Sequence, residues 1–273
     1  MTPLATATIR PIALLTDFGL DDPYVGQMKG VLAARAPGAP LIDISHAVQP
    51  YRIVQGAFFL AASAPHYPGN TVFLCVVDPG VGSSRRVLVA RSGGRTFVGP
   101  DNGLFSLALG EDQEAVFYDA TETAAEYAAS ATFHGRDVFA PLAARLAKGE
   151  APESLGTPLP AEDIVRHEWT RPRSLGHNLL GHVLHIDRFG NCVLNLRAEK
   201  PRDCSGVRLV SSPVSSVEAG LRFVERYDEL QGYEVGLLAG SQGYLELAVR
   251  QGSAAQVVGL LVGDPVTLTM GAQ

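Results

Sequence analysis

The sequence predicts a two-part chain: an α/β N-terminal domain with a mostly parallel central sheet, followed by an all-β C-terminal barrel-like domain. Three observations carry this. Short apolar runs alternate with helical patterns through the first half. A stretch rich in glycine, glutamate and proline, 149–160, breaks that rhythm. After about residue 175 only short strands and turns follow. The domains are expected at 11–165 and 175–273, joined by a linker at 166–174.

Taken in order, residues 1–10 have no periodicity worth burying and are expected to be a loose leader. The runs at 12–16, 41–44, 71–77, 86–90 and 95–98 read as strands. Between the first two, Asp22 is a candidate helix cap and Pro23 suits the first helical position. Val25, Met28, Val31 and Leu32 then line one face until Pro37-Gly38 stops the helix. Further helices are expected at 51–62 and 136–148. In the second half, strands are expected at 181–186, 192–195, 207–210, 234–239, 244–249 and 265–269.

Composition narrows the function. With 46% hydrophobic and 18% charged residues, a chain of 273 residues has ample material for a core, which excludes a disordered protein. A net charge of -6 argues against nucleic acid or an anionic membrane as partner and favours a small-molecule substrate. No apolar run reaches the roughly 18 residues that span a bilayer. Residues 1–11 lack the apolar core of a secretory signal. Cys75, Cys192 and Cys204 are odd in number and form no CxxC pair, which points to a reducing cytoplasm.

In open α/β sheets ligands sit beyond the carboxyl ends of the strands, and two acids fall there: Asp17 after IALLT and Asp78 after TVFLCVV. Each precedes glycine-bearing turn sequence that lets backbone approach a ligand, although Asp is equally a favoured turn former. The triplet Asp17-Phe18-Gly19 lacks the other kinase signatures, and DPGVGSSRR lacks the spacing of a phosphate loop. His134 stands in a loop ahead of a helix; with Asp78 and Arg85 it makes a polar cluster able to hold and polarise one water. The remaining histidines show no HExxH-like grouping, so no metal site is expected. The segments 187–191 and 240–244 lie between strands and read first as hairpin turns.

The motifs LLTDFGLDDPYVGQMKG, VVDPGVGSSRR, FVGPDNGLFS, FHGRDVFAPLA, IDRFGNCVLN and GSQGYLELAVRQGSAA occur in this order. Together, over about residues 12–270, the chain resembles the S-adenosylmethionine hydroxide adenosyltransferase family, related to the fluorinases and chlorinases. That resemblance implies an α/β domain and a β-barrel joined by a linker. It also implies a homotrimer with active sites between the N-terminal domain of one subunit and the C-terminal domain of its neighbour. By the same resemblance Asp17 holds the ribose hydroxyls, and Asp187 and Ser241 hold the methionine amino and carboxylate groups. Asn191 falls at the adenine edge, Phe133, Tyr51 and Tyr227 pack around adenine or ribose, and Asp21 joins the substrate-binding set.

Asp78, Arg85 and His134 match the triad of the water-using members, where the halogenating relatives carry other residues at Asp78, His134 and Gly135. Arg86 follows Arg85 directly, so spacing leaves the two arginines as alternatives. Gln242 stands where the fluorinase has Arg, and the region 249–251 also differs from it. The implied reaction is hydrolysis of S-adenosylmethionine at ribose C5' to adenosine and methionine, with no cofactor. The competing readings are a halide-dependent adenosyltransferase, a non-catalytic adenosine or S-adenosylmethionine sensor, and a metal-dependent hydrolase motivated by the strand-end acids alone.

Overall fold

The computed structural model describes residues 9–110, 112–127, 129–198, 207–211 and 218–269, so most of the leader and Cys204 lie outside the described residues. The chain divides into two units, residues 1–166 and 167–273.

The first unit is built on seven strands: β1 (Ile12–Thr16), β2 (Leu41–Ser45), β3 (Val72–Val76), β4 (Val87–Ser92), β5 (Arg95–Pro100), β6 (Val116–Asp119) and β7 (Thr157–Leu159). Their order is β2-β1-β3-β5-β4-β6-β7. β1 pairs in parallel with β2 and β3, and β3 with β5. β4 is antiparallel to both β5 and β6, and β6 to β7. The sheet expected to be mostly parallel is therefore parallel over one half only. The reason is local: Gly93 and Gly94, with φ of +52° and +82°, turn β4 straight back along β5, and a two-residue connection cannot carry a parallel crossover.

Every residue of β1 and β3 is buried, because both faces of the sheet are covered. On one face Ile12, Leu14, Val72 and Leu74 pack with Met28 and Leu32 of α1 (Tyr24–Arg35). On the other, Ala13, Leu15, Phe73 and Cys75 pack with Leu60 of α2 (Ile53–Ser63) and with Leu109 of α3 (Ser106–Leu109). Alternation along a strand makes both layers from one apolar run. A short α4 (Thr121–Ala125) follows β6, and α5 (Ala140–Ala147) joins α1 on the first face.

Three helix starts differ from the sequence reading. Asp22 does not cap α1; Pro23 takes the cap position without a side-chain hydrogen bond. Tyr51 has φ of +67°, which no α-helix accommodates, so α2 begins at Ile53. The helix expected from 136 opens as a π-turn over Gly135–Phe139 before α5. Pro141 explains the widening: it has no N–H for the carbonyl of Asp137, and its ring would clash with that carbonyl.

The second unit contains β8 (Arg173–Leu175), β9 (Asn178–Ile186), β10 (Cys192–Arg197), β11 (Val207–Ser211), β12 (Glu218–Phe223), β13 (Gly236–Ala239), β14 (Tyr244–Ala248) and β15 (Pro265–Thr269). The order is β10-β14-β13-β12-β11-β15-β9-β8, and β9 also pairs with β10, so the sheet curls back toward its own start. Leu194, Leu209, Leu237, Leu247 and Leu268 fill its interior. The segment expected as linker holds a 3-10 turn at Glu168–Thr170 and the strand β8, which pairs with β9. A short α6 (Ala254–Val258) has no counterpart in the sequence reading; Ser253 caps it by accepting from Gln256 N at 3.2 Å. No helix among the described residues is long and apolar enough to cross a membrane.

Candidate active site

In the first unit the site grows from the carboxyl ends of two adjacent parallel strands. Thr16 of β1 pairs in register with Val76 of β3, so Asp17 and Asp78 leave the sheet at the same edge. One Asp17 oxygen accepts a 2.8 Å hydrogen bond from the backbone N–H of Tyr51. Tyr51 takes its left-handed conformation here, and its side chain is exposed. Burial pushes the Asp17 carboxyl above the ordinary value, the Tyr51 N–H pulls it down, and the nearby charge of Asp78 adds to the rise.

Asp78 is held by Arg85. The Arg85 Nε lies 3.0 Å from both carboxylate oxygens, and Nη2 also donates to Oδ2. Both side chains are buried, Asp78 at 4% and Arg85 at 10% exposure, so each requires the other. The same Nη2 stands 2.9 Å from Nδ1 of His134. A guanidinium only donates, so Nδ1 accepts and the neutral imidazole carries its proton on Nε2. Burial and then the Arg85 charge lower the His134 pKa, against the opposing pull of Asp78 and Asp137. The Phe139 ring lies 5.0 Å beneath the Arg85 guanidinium and fixes its plane.

Of the two arginines, only Arg85 meets Asp78. Arg86 turns the other way, pairing with the buried Asp101 at 2.8 Å. Consecutive residues entering an extended strand face opposite sides, so only Arg85 reaches Asp78.

Asp78 and His134 line a cavity of about 150 Å³ with Phe18, Tyr24 and Phe133, whose rings meet one another at centroid distances of 5.2–5.8 Å. That space holds a few waters and falls short of the roughly 300 Å³ at which small-molecule sites begin. Asp21 is exposed and does not line it. Among the described residues no three His, Cys, Asp or Glu side chains are placed to hold a metal ion.

In the second unit, Asp187 and Asn191 close the hairpin between β9 and β10. Asp187 Oδ1 accepts from the backbone N–H of Phe189 and of Asn191, each at 2.9 Å, and Oδ2 accepts from Asn191 Nδ2 at 2.9 Å. Gly190 has φ of +88° and leaves no room for a Cβ, which would strike Ser253. Beside this turn opens a cavity of about 650 Å³ lined by Asp187, Asn191, Tyr227, Val249, Gln251 and Ser253. Phe189, 78% exposed, stands at its edge.

The Tyr227 hydroxyl donates to Glu246, a buried carboxylate that burial pushes above its ordinary pKa. The sequence reading missed Glu246; its signal was a single acid between Leu245 and Leu247 in an otherwise apolar strand. It also missed Ser253, and it noted 249–251 only as a departure, where Val249 and Gln251 prove to be cavity wall. Ser241 lies in the exposed turn between β13 and β14 and does not line the cavity.

Comparison with known proteins agrees with both units. Residues 12–156 match the SAM hydroxide adenosyltransferase N-terminal domain, and residues 181–267 match the SAM hydroxide adenosyltransferase C-terminal domain. The chain is 42% identical to the (R)-S-adenosyl-L-methionine hydrolase of Thermus thermophilus, over 95% of this chain and 100% of that protein. A fluorinase of Nocardia brasiliensis is more distant, 28% identical over 96% of this chain and 98% of its own. The crystal structure of an uncharacterized conserved protein from Thermotoga maritima superposes with a TM-score of 0.83 at 31% identity, covering 94% of this chain and 99% of that one.

Proposed function

Because the chain belongs to the SAM hydroxide adenosyltransferase family, we propose that it hydrolyses S-adenosyl-L-methionine to adenosine and L-methionine by attack of water at ribose C5'. The observation that carries the catalytic half is the buried Asp78–Arg85 pair joined to the half-buried His134, with Asp78 and His134 lining a cavity that holds a few waters.

The substrate's sulfonium is already a good leaving group. The C5'–S bond breaks with its electron pair going to sulfur, which cancels the positive charge and frees neutral thioether. The new C5'–O bond forms from a water lone pair, and the water gives up one proton. No acid or redox step is needed. The enzyme must hold that water in line, roughly 3 Å behind C5', and accept hydrogen bonds from it as its acidity grows.

Asp78 suits the acceptor role because a carboxylate offers about four lone-pair positions, and Arg85 occupies only part of them. Arg85 stabilises hydroxide-like charge on the water. His134, with Nδ1 turned to Arg85, presents Nε2–H and orients the water. A carboxylate at the attack position also repels a halide anion while it accepts from water, which favours hydrolysis over halogen transfer.

For binding, Asp17 is assigned to the ribose hydroxyls and Asn191 to the adenine edge, with Phe133, Tyr51 and Tyr227 around adenine or ribose. Asp187 and Ser241 are assigned to the methionine amino and carboxylate groups, and Asp21 to the substrate-binding set. Three hydrogen bonds within its own turn hold the Asp187 carboxylate in place and leave it lone-pair capacity for a ligand. We read the curled second sheet as the family's barrel, supported by the β9–β10 pairing. A homotrimer sharing sites between subunits is supported by the two cavities, one too small for a nucleoside and one without the charged cluster. The unpaired, buried Cys75 and Cys192 support a cytoplasmic setting.

The test is to incubate the protein with S-adenosylmethionine, with and without chloride or bromide, and to identify products by chromatography and mass. Adenosine with methionine, independent of halide and of chelator, is the expected outcome. A 5'-halo nucleoside would make it a halogenase, and tight binding without turnover a sensor.

A further inference from the structure

The turn that carries Asp17 is held at both ends by a residue the reaction does not use. His46 follows β2 and is 5% exposed. Its Nδ1 lies 2.8 Å from the Thr16 hydroxyl, which is itself fully buried and accepts from the backbone N–H of Phe18. Its backbone carbonyl accepts from Gly19 N–H at 2.8 Å. Thr16 and Gly19 flank Asp17 and Phe18, so one residue ties down both ends of the turn that carries the acid.

A register slip makes this possible. Leu14 pairs with Asp43 but Leu15 pairs with Ser45, so a bulge at Ile44 brings the next residues round toward the end of β1. The far side of the imidazole faces Asp43: Nε2 lies 3.0 Å from Oδ1, at ion-pair distance though not well aligned for a hydrogen bond. Lys29 holds the other Asp43 oxygen at 2.7 Å. The chain Lys29–Asp43–His46–Thr16 thus runs from the surface to the residue preceding Asp17.

The geometry points to His46 as a positioning residue that holds the Asp17 turn in the shape that receives the ribose hydroxyls, through its Nδ1 contact with Thr16. This rests on the assignment of Asp17 to ribose. His46 touches neither the cavity nor the charged cluster, so its effect belongs in substrate affinity and leaves the chemical step alone.

Two isosteric variants separate the contacts. His46→Asn keeps a polar atom at the Nδ1 position for Thr16 and gives up Asp43; His46→Gln keeps the reach to Asp43 and gives up Thr16. The expected result is that His46→Gln lowers kcat/KM about tenfold, mainly through KM, while His46→Asn stays within about twofold of the parent. In an Asp17→Asn background, His46→Gln should add less than about twofold, because it acts through the carboxylate already removed. Equal losses in both variants, or the same loss in both backgrounds, would overturn the proposal. Amide hydrogen exchange gives a readout independent of turnover: residues 17–19 should exchange faster in His46→Gln only. A protein with that exchange pattern but no turnover of S-adenosylmethionine loses the functional reading and keeps the clamp. One that turns over S-adenosylmethionine with unchanged exchange loses the clamp.

Discussion

In the first unit, Asp78 and Arg85 of one loop meet His134 from a distant stretch, and the three are held by one another; in the second, Asp187 and Asn191 belong to one five-residue turn and are held largely within it. The first arrangement buries charge, pairs it, and surrounds a space of about 150 Å³. The second leaves a cavity of about 650 Å³ with an exposed phenylalanine at its edge. Buried, mutually dependent charges are costly to keep and are suited to stabilising charge that appears during a reaction. A wide, mostly apolar recess with a few fixed polar atoms is suited to recognition. Under the proposed function, the first unit supplies the chemistry and the second part of the binding surface, so variants in the two should divide between kcat and KM.

The largest effect is expected from Asp78→Asn. It removes the charge that Arg85 requires and replaces one carboxylate oxygen with an amide donor, leaving no base for the water, so kcat for S-adenosylmethionine should fall at least about 100-fold. The buried guanidinium left without its counter-charge should also cost about 3 kcal/mol in a denaturant titration. A variant with near-parental kcat would end the division of labour between the units.

In the second unit, Asn191→Ala should raise KM about fivefold to thirtyfold and leave kcat within about twofold, since it removes about 1–2 kcal/mol of polar contact remote from the reacting bond. Steady-state kinetics decides this, and a fall in kcat with KM unchanged would place Asn191 in the chemistry.

The pH dependence is expected to be smaller but directional. His134 has a lowered pKa, so it is neutral and accepts from Arg85 down to a pH below the ordinary histidine value of about 6.5. Protonation puts a hydrogen on Nδ1 facing the guanidinium and breaks the cluster. The acid limb of kcat should therefore lie below pH 6.5 and vanish in His134→Asn. The sign for stability is the same. The unfolded chain binds the proton more readily, so the contribution of neutral His134 is complete above about pH 6.5 and is lost as pH falls from there through the folded value. A kcat limb above about pH 7 would contradict this geometry.

The parts of the fold that could be read from sequence are those with a local cause. The runs ending at Thr16 and Val77 are almost wholly apolar because helices cover both faces, and that pattern alone places Asp17 and Asp78 at strand ends. The reversal at Gly93-Gly94 is equally local, and its two glycines are the signal that the sheet is less parallel than the apolar runs alone suggest. Tyr51 illustrates the opposite case: its left-handed backbone accompanies a hydrogen bond to Asp17, 34 residues away, and no local propensity announces it. The partnership of Arg85 with His134 likewise joins residues 49 apart, so spacing could nominate both arginines and only packing could choose. Glu246 was hidden for a related reason. A carboxylate within an apolar strand looks like an error of pattern until the Tyr227 hydroxyl is placed against it.

Where the new bond forms is the central point, and it can be read in a single turnover experiment in H₂¹⁸O. Attack of water at C5' predicts one ¹⁸O atom in the 5'-hydroxyl of adenosine and none in methionine. Label in homoserine, with methylthioadenosine as the nucleoside product, would show attack on the amino-acid side of the sulfonium and contradict the assignment of Asp78, Arg85 and His134 to a water behind C5'.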